Sequence, residues 1–235
     1  MSDHMKRLAA PKSWPLKRKV AVWVAKQSPG AHSLESSLPA IMVLRDIMGV
    51  CDTAKEAKRI IGNREVFVDG KAVKNPKAPI GLMDVVTIPK MGLMCRMLLT
   101  DKGKLTMVAI PEAETKWKLC RVEGKTKIAG GRIQVNLSGG RNLVLDSNKY
   151  SSGDTLKLSV DGQEVLGCYP MTDGAVAMII DGSLAGKIDT ISECVVVEGP
   201  SENVVRFKSE TETVKRNVFV IGTGSAEIKL PEASE

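Results

Sequence analysis

Lys55, Lys58 and Arg59 follow a Thr53-x-x-Glu56 pair, and their spacing suggests one kind of chemistry. Residues three and four apart share a helix face, so these cations would leave a single surface together, as neutralising a run of phosphates requires. Arg45, Arg64, Lys71, Lys74 and Lys77 lie in or beside the same stretch, and Lys6, Arg7, Lys12, Lys17, Arg18 and Lys19 crowd the first twenty positions. All of them are candidates for contact with a polyanion, against the plainer reading that they are solvated surface charge.

Catalytic and metal chemistry find little to work with. The two histidines, His4 and His32, are both near the N-terminus and have no metal-ligand spacing. A Ser-His-Asp or Cys-His site would have to recruit that segment. Cys51, Cys95, Cys120, Cys168 and Cys194 are scattered and odd in number, so neither a disulfide framework nor a zinc pair is indicated. The stretch GSLAGKI at 182–188 lacks one residue between its glycines and the closing Ser or Thr of a phosphate-binding loop, which leaves it a turn. No catalytic residue, metal or cofactor is therefore expected.

The charge distribution shows where a polyanion would meet the chain. Lys and Arg number 34 against 27 Asp and Glu, a formal charge of +7. Residues 1–168 are net positive in every segment, whereas 169–235 hold six basic and eleven acidic groups, so phosphate neutralisation is expected from the N-terminal part. Eight aromatics without a cluster make single-strand base stacking a poor main mode. Trp14 and Trp23 could stack on bases, but anchoring the N-terminal arm to its own protein is the better reading.

The elements that must position these cations can be read from periodicity. Residues 1–38, basic and interrupted by Pro11, Pro15 and Pro29, read as an arm with little to bury alone, which is expected to order on RNA. Ile41, Leu44, Ile47 and Met48 recur at helical spacing before Gly49. A second helix opens at the Thr53/Glu56 capping box and ends near Gly62, with Ala54, Ala57 and Ile60 or Ile61 inward. Val66 and Val68, the Asp69-Gly70 turn and Val73 read as a hairpin, and 84–88 as a further strand.

From Met97 onward short β runs alternate with turn signals such as Gly130-Gly131, Gly139-Gly140 and Asp161-Gly162, the pattern of small β-rich domains. The longest apolar runs, 20–25 and 175–180, are far short of the roughly 20 residues that span a bilayer. A cytoplasmic protein without a membrane partner is expected, and 225–235 reads as a loose tail.

The run LRDIMGVCDTAKEAKRIIGNREVFVDGKAV, followed by PKAPIGLMDVVTI, resembles the S4 RNA-binding module over 44–88. RLAAPKSWPL, PGAHSL, KWKLCRV, VAMIIDGSLAGKIDTI and NVFVIGTG occur in order around it. Together they resemble the archaeal and eukaryotic small-subunit ribosomal protein S4e family along nearly the whole chain. That resemblance implies a multidomain α+β protein with a basic N-terminal extension (1–40), an S4-type module (41–96) and a central β-rich domain (97–170). A KOW-type small β-barrel (171–224) and a tail (225–235) would complete it.

The resemblance further implies a structural role in the small subunit, with small-subunit rRNA and neighbouring ribosomal proteins as partners and no small-molecule substrate. Asp189 stands where the KOW motif often has glycine, which puts an RNA role for that loop in doubt. Two alternatives stay open. One is a non-ribosomal RNA chaperone. The other is an RNA-modifying enzyme, because S4 modules also occur fused to pseudouridine synthases and GRNLVLD at 140–146 is a loose echo of their catalytic motif.

Overall fold

The computed structural model describes residues 4–231. The chain forms two compact units, residues 1–98 with 104–116, and residues 99–103 with 117–235. The strand that completes the first unit's sheet follows residues 99–103 in sequence, so the two units interleave along the chain.

In the first unit, β1 (His4–Lys6) pairs antiparallel with β2 (Trp23–Ala25). The arm between them is packed, which corrects the expectation of a segment that orders only on RNA. Trp14 is 1% exposed and its indole N–H donates to the Leu34 carbonyl at 3.2 Å. Met5 and Ala10 are buried as well. Three buried apolar side chains and a satisfied indole give the arm core contacts despite its prolines.

β3 (Ser37–Pro39) leads into α1 (Ala40–Met42), which continues as one wide π turn over Val43–Ile47. Periodicity alone predicts a regular amphipathic helix here. The Met48 N–H instead reaches back five residues to the Val43 carbonyl at 2.9 Å, which lets the five residues 40–44 all be buried.

α2 (Ala54–Gly62) starts as predicted. Thr53 Oγ1 accepts from the Glu56 N–H at 3.2 Å and Glu56 Oε2 accepts from the Thr53 N–H at 3.3 Å. It ends in a Schellman motif, with Glu65 N–H on the Ile60 carbonyl and Arg64 N–H on the Ile61 carbonyl. Its inner face buries Ala57 and Ile61.

β4 (Phe67–Val68) and β5 (Lys71–Ala72) form the predicted hairpin. Asp69 and Gly70 both have positive φ, 48° and 72°, as a two-residue type I′ turn demands. β6 (Pro79–Gly81) pairs with β3. β7 (Val85–Ile88), β8 (Leu93–Leu99) and β9 (Leu105–Ala109) complete a sheet of order β5-β4-β7-β8-β9. α3 (Glu112–Thr115) is held by the buried Arg96, whose guanidinium donates to the Glu114 carbonyl at 2.9 Å.

The second unit contains two five-stranded antiparallel sheets. The first joins β10 (Trp117–Lys127), β11 (Ile133–Leu137), β12 (Arg141–Leu145), β13 (Thr155–Ser159) and β14 (Val165–Tyr169) in the order β12-β11-β10-β13-β14. Its core is Cys120, Val122, Val135, Leu137, Leu156 and Leu158.

The second sheet joins β15 (Ala175–Ile179), β16 (Ile188–Val195), β17 (Val204–Phe207), β18 (Glu212–Val214) and β19 (Val218–Thr223) in the order β18-β17-β16-β15-β19. β16 pairs with β15 through 188–190 and with β17 through 191–195, with a bulge between Ile191 and Glu193. The sheet therefore bends around Ala177, Ile179, Ile191, Val205, Phe207, Val218 and Val220. The expected closure into a barrel is not made among the described residues: β18 and β19 are opposite edges, separated by a single 3₁₀ turn at Lys215–Asn217.

Gly186 (φ 92°) is required at the β15–β16 connection, since a Cβ there would lie 1.8 Å from the Thr100 carbonyl oxygen. The expected loose tail is docked at its start, where Ile228 is buried and Glu227 accepts from Lys157 Nζ at 2.5 Å. Residues 232–235 of that tail lie outside the described residues. Among the described residues no helix is long and apolar enough to cross a membrane.

Candidate RNA-binding surface

The candidate cations differ in what their charged ends already do. Lys55, Lys58 and Arg59 are exposed on α2 and carry no ion pair among the described residues. Glu56, the acid between them, is turned back to the helix start. Donation from the Thr53 main chain, then its side chain, and from the Asp52 N–H holds this carboxyl below its ordinary range. The capping box therefore gives the helix both its N-terminus and a cationic outer face.

Arg64, Lys71 and Lys74 are exposed on the turn and hairpin that follow, and Lys77 is half-buried. Arg64 occupies the left-handed position of the Schellman motif with φ 58°, where glycine is the usual residue. Arg45 is placed differently: its guanidinium is bidentate on Asp46 at 2.7 and 2.8 Å, so its charge is met within the chain.

The arm divides in the same way. Lys6, Lys12, Lys17 and Lys19 are exposed. Arg18 donates to the carbonyls of Leu8, Ala10 and Pro11 at 3.1, 2.6 and 2.8 Å, and Arg7 Nε donates to the Lys17 carbonyl at 2.5 Å. These two arginines shape the arm. Trp14 anchors it, while Trp23 is 57% exposed beside His4, ring centroids 5.8 Å apart.

The second histidine is also structural. His32 Nε2 is 3.0 Å from the Asp84 carboxylate, and Asp84 Oδ2 also accepts from the Gly81 N–H at 2.9 Å. Gly81 must be glycine, because a Cβ would fall 2.2 Å from the His32 ring. Among the described residues no group of three or more His, Cys, Asp or Glu side chains could hold a metal ion.

In the second unit Asp189 organises a loop. Burial pushes its carboxyl up, but donation from the Ser209 hydroxyl and from the N–H groups of Thr190 and Ser209 holds it below the ordinary range. Arg121, missed in the sequence, is 5% exposed and ties the first sheet to the turn after β18 by donating to the Lys215 and Arg216 carbonyls. Asp146, which ends the GRNLVLD echo, is simply exposed after β12.

A capped helix with a one-sided cationic face, followed by a tight hairpin and joined to β-sheet modules, defines a modular polyanion-binding protein. Comparison with known proteins is more specific. The chain matches the RS4NT (NUC023) domain over residues 1–35, the S4 domain over 42–86 and the ribosomal family S4e over 91–165. It is 40% identical over 230 residues to small ribosomal subunit protein eS4 of Methanosphaera stadtmanae, covering 97% of this chain and 95% of that one. The eS4 protein of Methanothermobacter thermautotrophicus is 39% identical over 232 residues, with 97% and 96% covered. The crystal structure of the 30S ribosomal protein S4e from Thermoplasma acidophilum superimposes with a TM-score of 0.71 at 32% identity, over 80% of this chain and 96% of that one. The chain belongs to the S4e family of small-subunit ribosomal proteins.

Proposed function

We propose that this protein is a structural, non-enzymatic constituent of the small ribosomal subunit that binds and stabilises folded rRNA during assembly and translation. The observation that carries the reading is the exposed, unpaired row Lys55, Lys58 and Arg59 on a capped helix within an S4 domain. Recognition by shape and phosphate needs cations on a rigid element and few base contacts, and α2 supplies the cations.

Arg64, Lys71, Lys74 and Lys77 extend that surface along the hairpin, and Lys6, Lys12, Lys17 and Lys19 extend it along the arm. Arg7, Arg18 and Arg45 act as supports, since each guanidinium already has acceptors in the chain. Neighbouring ribosomal proteins are further partners, and the cytoplasmic ribosome is the location. The layout into arm, S4 module, central β domain and a KOW-type C-terminal module fits the family. The strongly bent sheet around Ile191 and Phe207 is read as that KOW-type module.

The test replaces Lys55, Lys58 and Arg59 together with Ala and titrates a small-subunit rRNA fragment at several salt concentrations. Every phosphate left without its cation flattens the dependence of log affinity on log salt by roughly 0.7 to 0.9, so the triple variant should lose about 2 to 3 from the slope while keeping its strand and helix content. An unchanged affinity and slope would remove α2 from the interface.

A further inference from the structure

Residues 124–149 contain Lys125, Lys127, Arg132, Arg141 and Lys149 with a single acid, Asp146, a longer positive stretch than α2 and one the S4 module does not include. β10 pairs with β13 only through 117–121 and with β11 from Val122 to Lys127. Its distal half, with β11 and β12, therefore forms a three-stranded ribbon that runs past β13.

One side of the ribbon faces the core through Val135 and Leu137, with Ile133, Leu143 and Leu145 packed beside them. The other side presents two cross-strand rows. Thr126, Gln134 and Val144 are register partners in one, and Gly124, Asn136 and Asn142 in the next. This side contains hydroxyl and amide groups and no charge.

The amides are held in place by one another. Gln134 Nε2 donates to Asn136 Oδ1 at 2.8 Å, and Asn136 Nδ2 donates to Thr126 Oγ1 at 3.4 Å, leaving Gln134 Oε1 and both polar atoms of Asn142 directed elsewhere. Nothing approaches the space above Gly124. Val144 is 50% exposed on β12, an edge strand of its sheet. An edge strand with an exposed aliphatic residue and no proline is one that an assembly normally covers. Arg132, in extended backbone just before the inward Ile133, is exposed at the rim of this side, whereas Lys125 and Lys127 are register partners of Val135 and Ile133 on the core side, where Lys125 Nζ donates to Asn148 Oδ1 and the Tyr150 carbonyl.

We propose that the outer face of the β10–β11–β12 ribbon is a second RNA-contact surface, seated in the shallow minor groove of an RNA helix. Thr126, Gln134, Asn136 and Asn142 hydrogen-bond 2′-hydroxyls and base edges there, and Arg132 reaches a flanking phosphate. Three strands span about 10 Å and two rows about 7 Å, a flat patch suited to the wide, shallow groove of A-form RNA. A face meant only for water would mix charges of both signs, whereas this one keeps neutral donors and acceptors in the middle and a single cation, Arg132, at the edge. The inference rests on the rRNA-binding reading above.

The experiment uses the full chain and two probes of one sequence, an RNA duplex of about 16 base pairs and its DNA counterpart. In Q134A/N136A/N142A, affinity for RNA should fall about tenfold, affinity for DNA should hold, and the RNA salt slope should stay at the wild-type value. In R132A the slope should flatten by about 0.7 to 0.9. Thr126→Val and Asn142→Thr, both favourable in strands, carry the test if the Ala variants lose strand content, with the same fall in RNA preference expected. RNA affinity and preference unchanged in these ribbon variants, while K55A/K58A/R59A weakens binding, overturn the ribbon proposal alone and leave that face to a neighbouring protein. A wild-type chain that binds neither the duplex nor rRNA overturns both readings.

Discussion

Asp84→Ala should release the N-terminal arm. The carboxylate is almost fully buried and accepts from the Gly81 N–H at 2.9 Å and from His32 Nε2 at 3.0 Å. Removing it leaves two buried donors without that acceptor, each a loss of about 1–3 kcal/mol, and with partial relaxation a net cost of about 3 kcal/mol is expected. His32→Ala removes only the arm's half of the contact and should cost about half as much. Trypsin reports the opening directly, because Lys12, Lys17, Arg18 and Lys19 lie in the arm and cleavage tracks the open population when reclosing is fast. At 1.4 kcal/mol per factor of ten, Asp84→Ala should be cut there roughly 100-fold faster than wild type. His32→Ala should be cut about tenfold faster with far less loss of global stability in urea. Wild-type cleavage rates in both variants would show that the latch does not hold the arm.

Two further outcomes follow from α2. Arg64→Gly relieves a left-handed backbone and should raise stability by up to about 1 kcal/mol while weakening rRNA binding; a urea midpoint that falls would overturn this account of the helix end. Thr53→Ala should cost about 1 kcal/mol in urea denaturation. Because Glu56 is held below its ordinary range, its contribution is present above that range and lost as pH falls through the lowered value. The wild-type melting temperature should therefore drop on acidification more than that of Glu56→Gln, which has no carboxyl to protonate, and parallel curves would argue against Glu56 as the titrating element.

The parts of the fold visible in the sequence are those with local causes. The Thr53/Glu56 box and the Asp69-Gly70 turn are each set by neighbours three residues apart or fewer, and both form in the structure. The π turn over Val43–Ile47 is not visible there, since Ile41 and Leu44 fit an ordinary helix equally well and only burial of all of 40–44 separates the two. The packing of the arm is hidden because its proline content suggests a solvated chain, whereas Trp14 finds its acceptor twenty residues away at Leu34. Charge counting picks out Lys55, Lys58 and Arg59 but does not separate them from Arg7 and Arg18, whose acceptors are carbonyls that only folding brings close, or from Arg45, whose acceptor is its neighbour Asp46. The amide face of the ribbon leaves a trace in the alternation around Gln134 and Asn136, but alternation points first to its apolar members.

The interleaving of the two units bears on how the chain can fold as it is made. Residues 99–103 belong with the second unit, while β9 and α3, within 104–116, belong with the first. A polypeptide leaving the ribosome N-terminus first can thus form the helix and hairpin of the S4 domain early, but its sheet gains edge strand β9 only once residue 109 has emerged, and Arg96 meets Glu114 later still. Until then β8 is an open strand edge of the kind that invites wrong pairing. The nascent protein passes through a stage with α2 formed and its sheet unfinished, and on the proposed reading rRNA that engages α2 at that stage would act as a template for the rest of the unit.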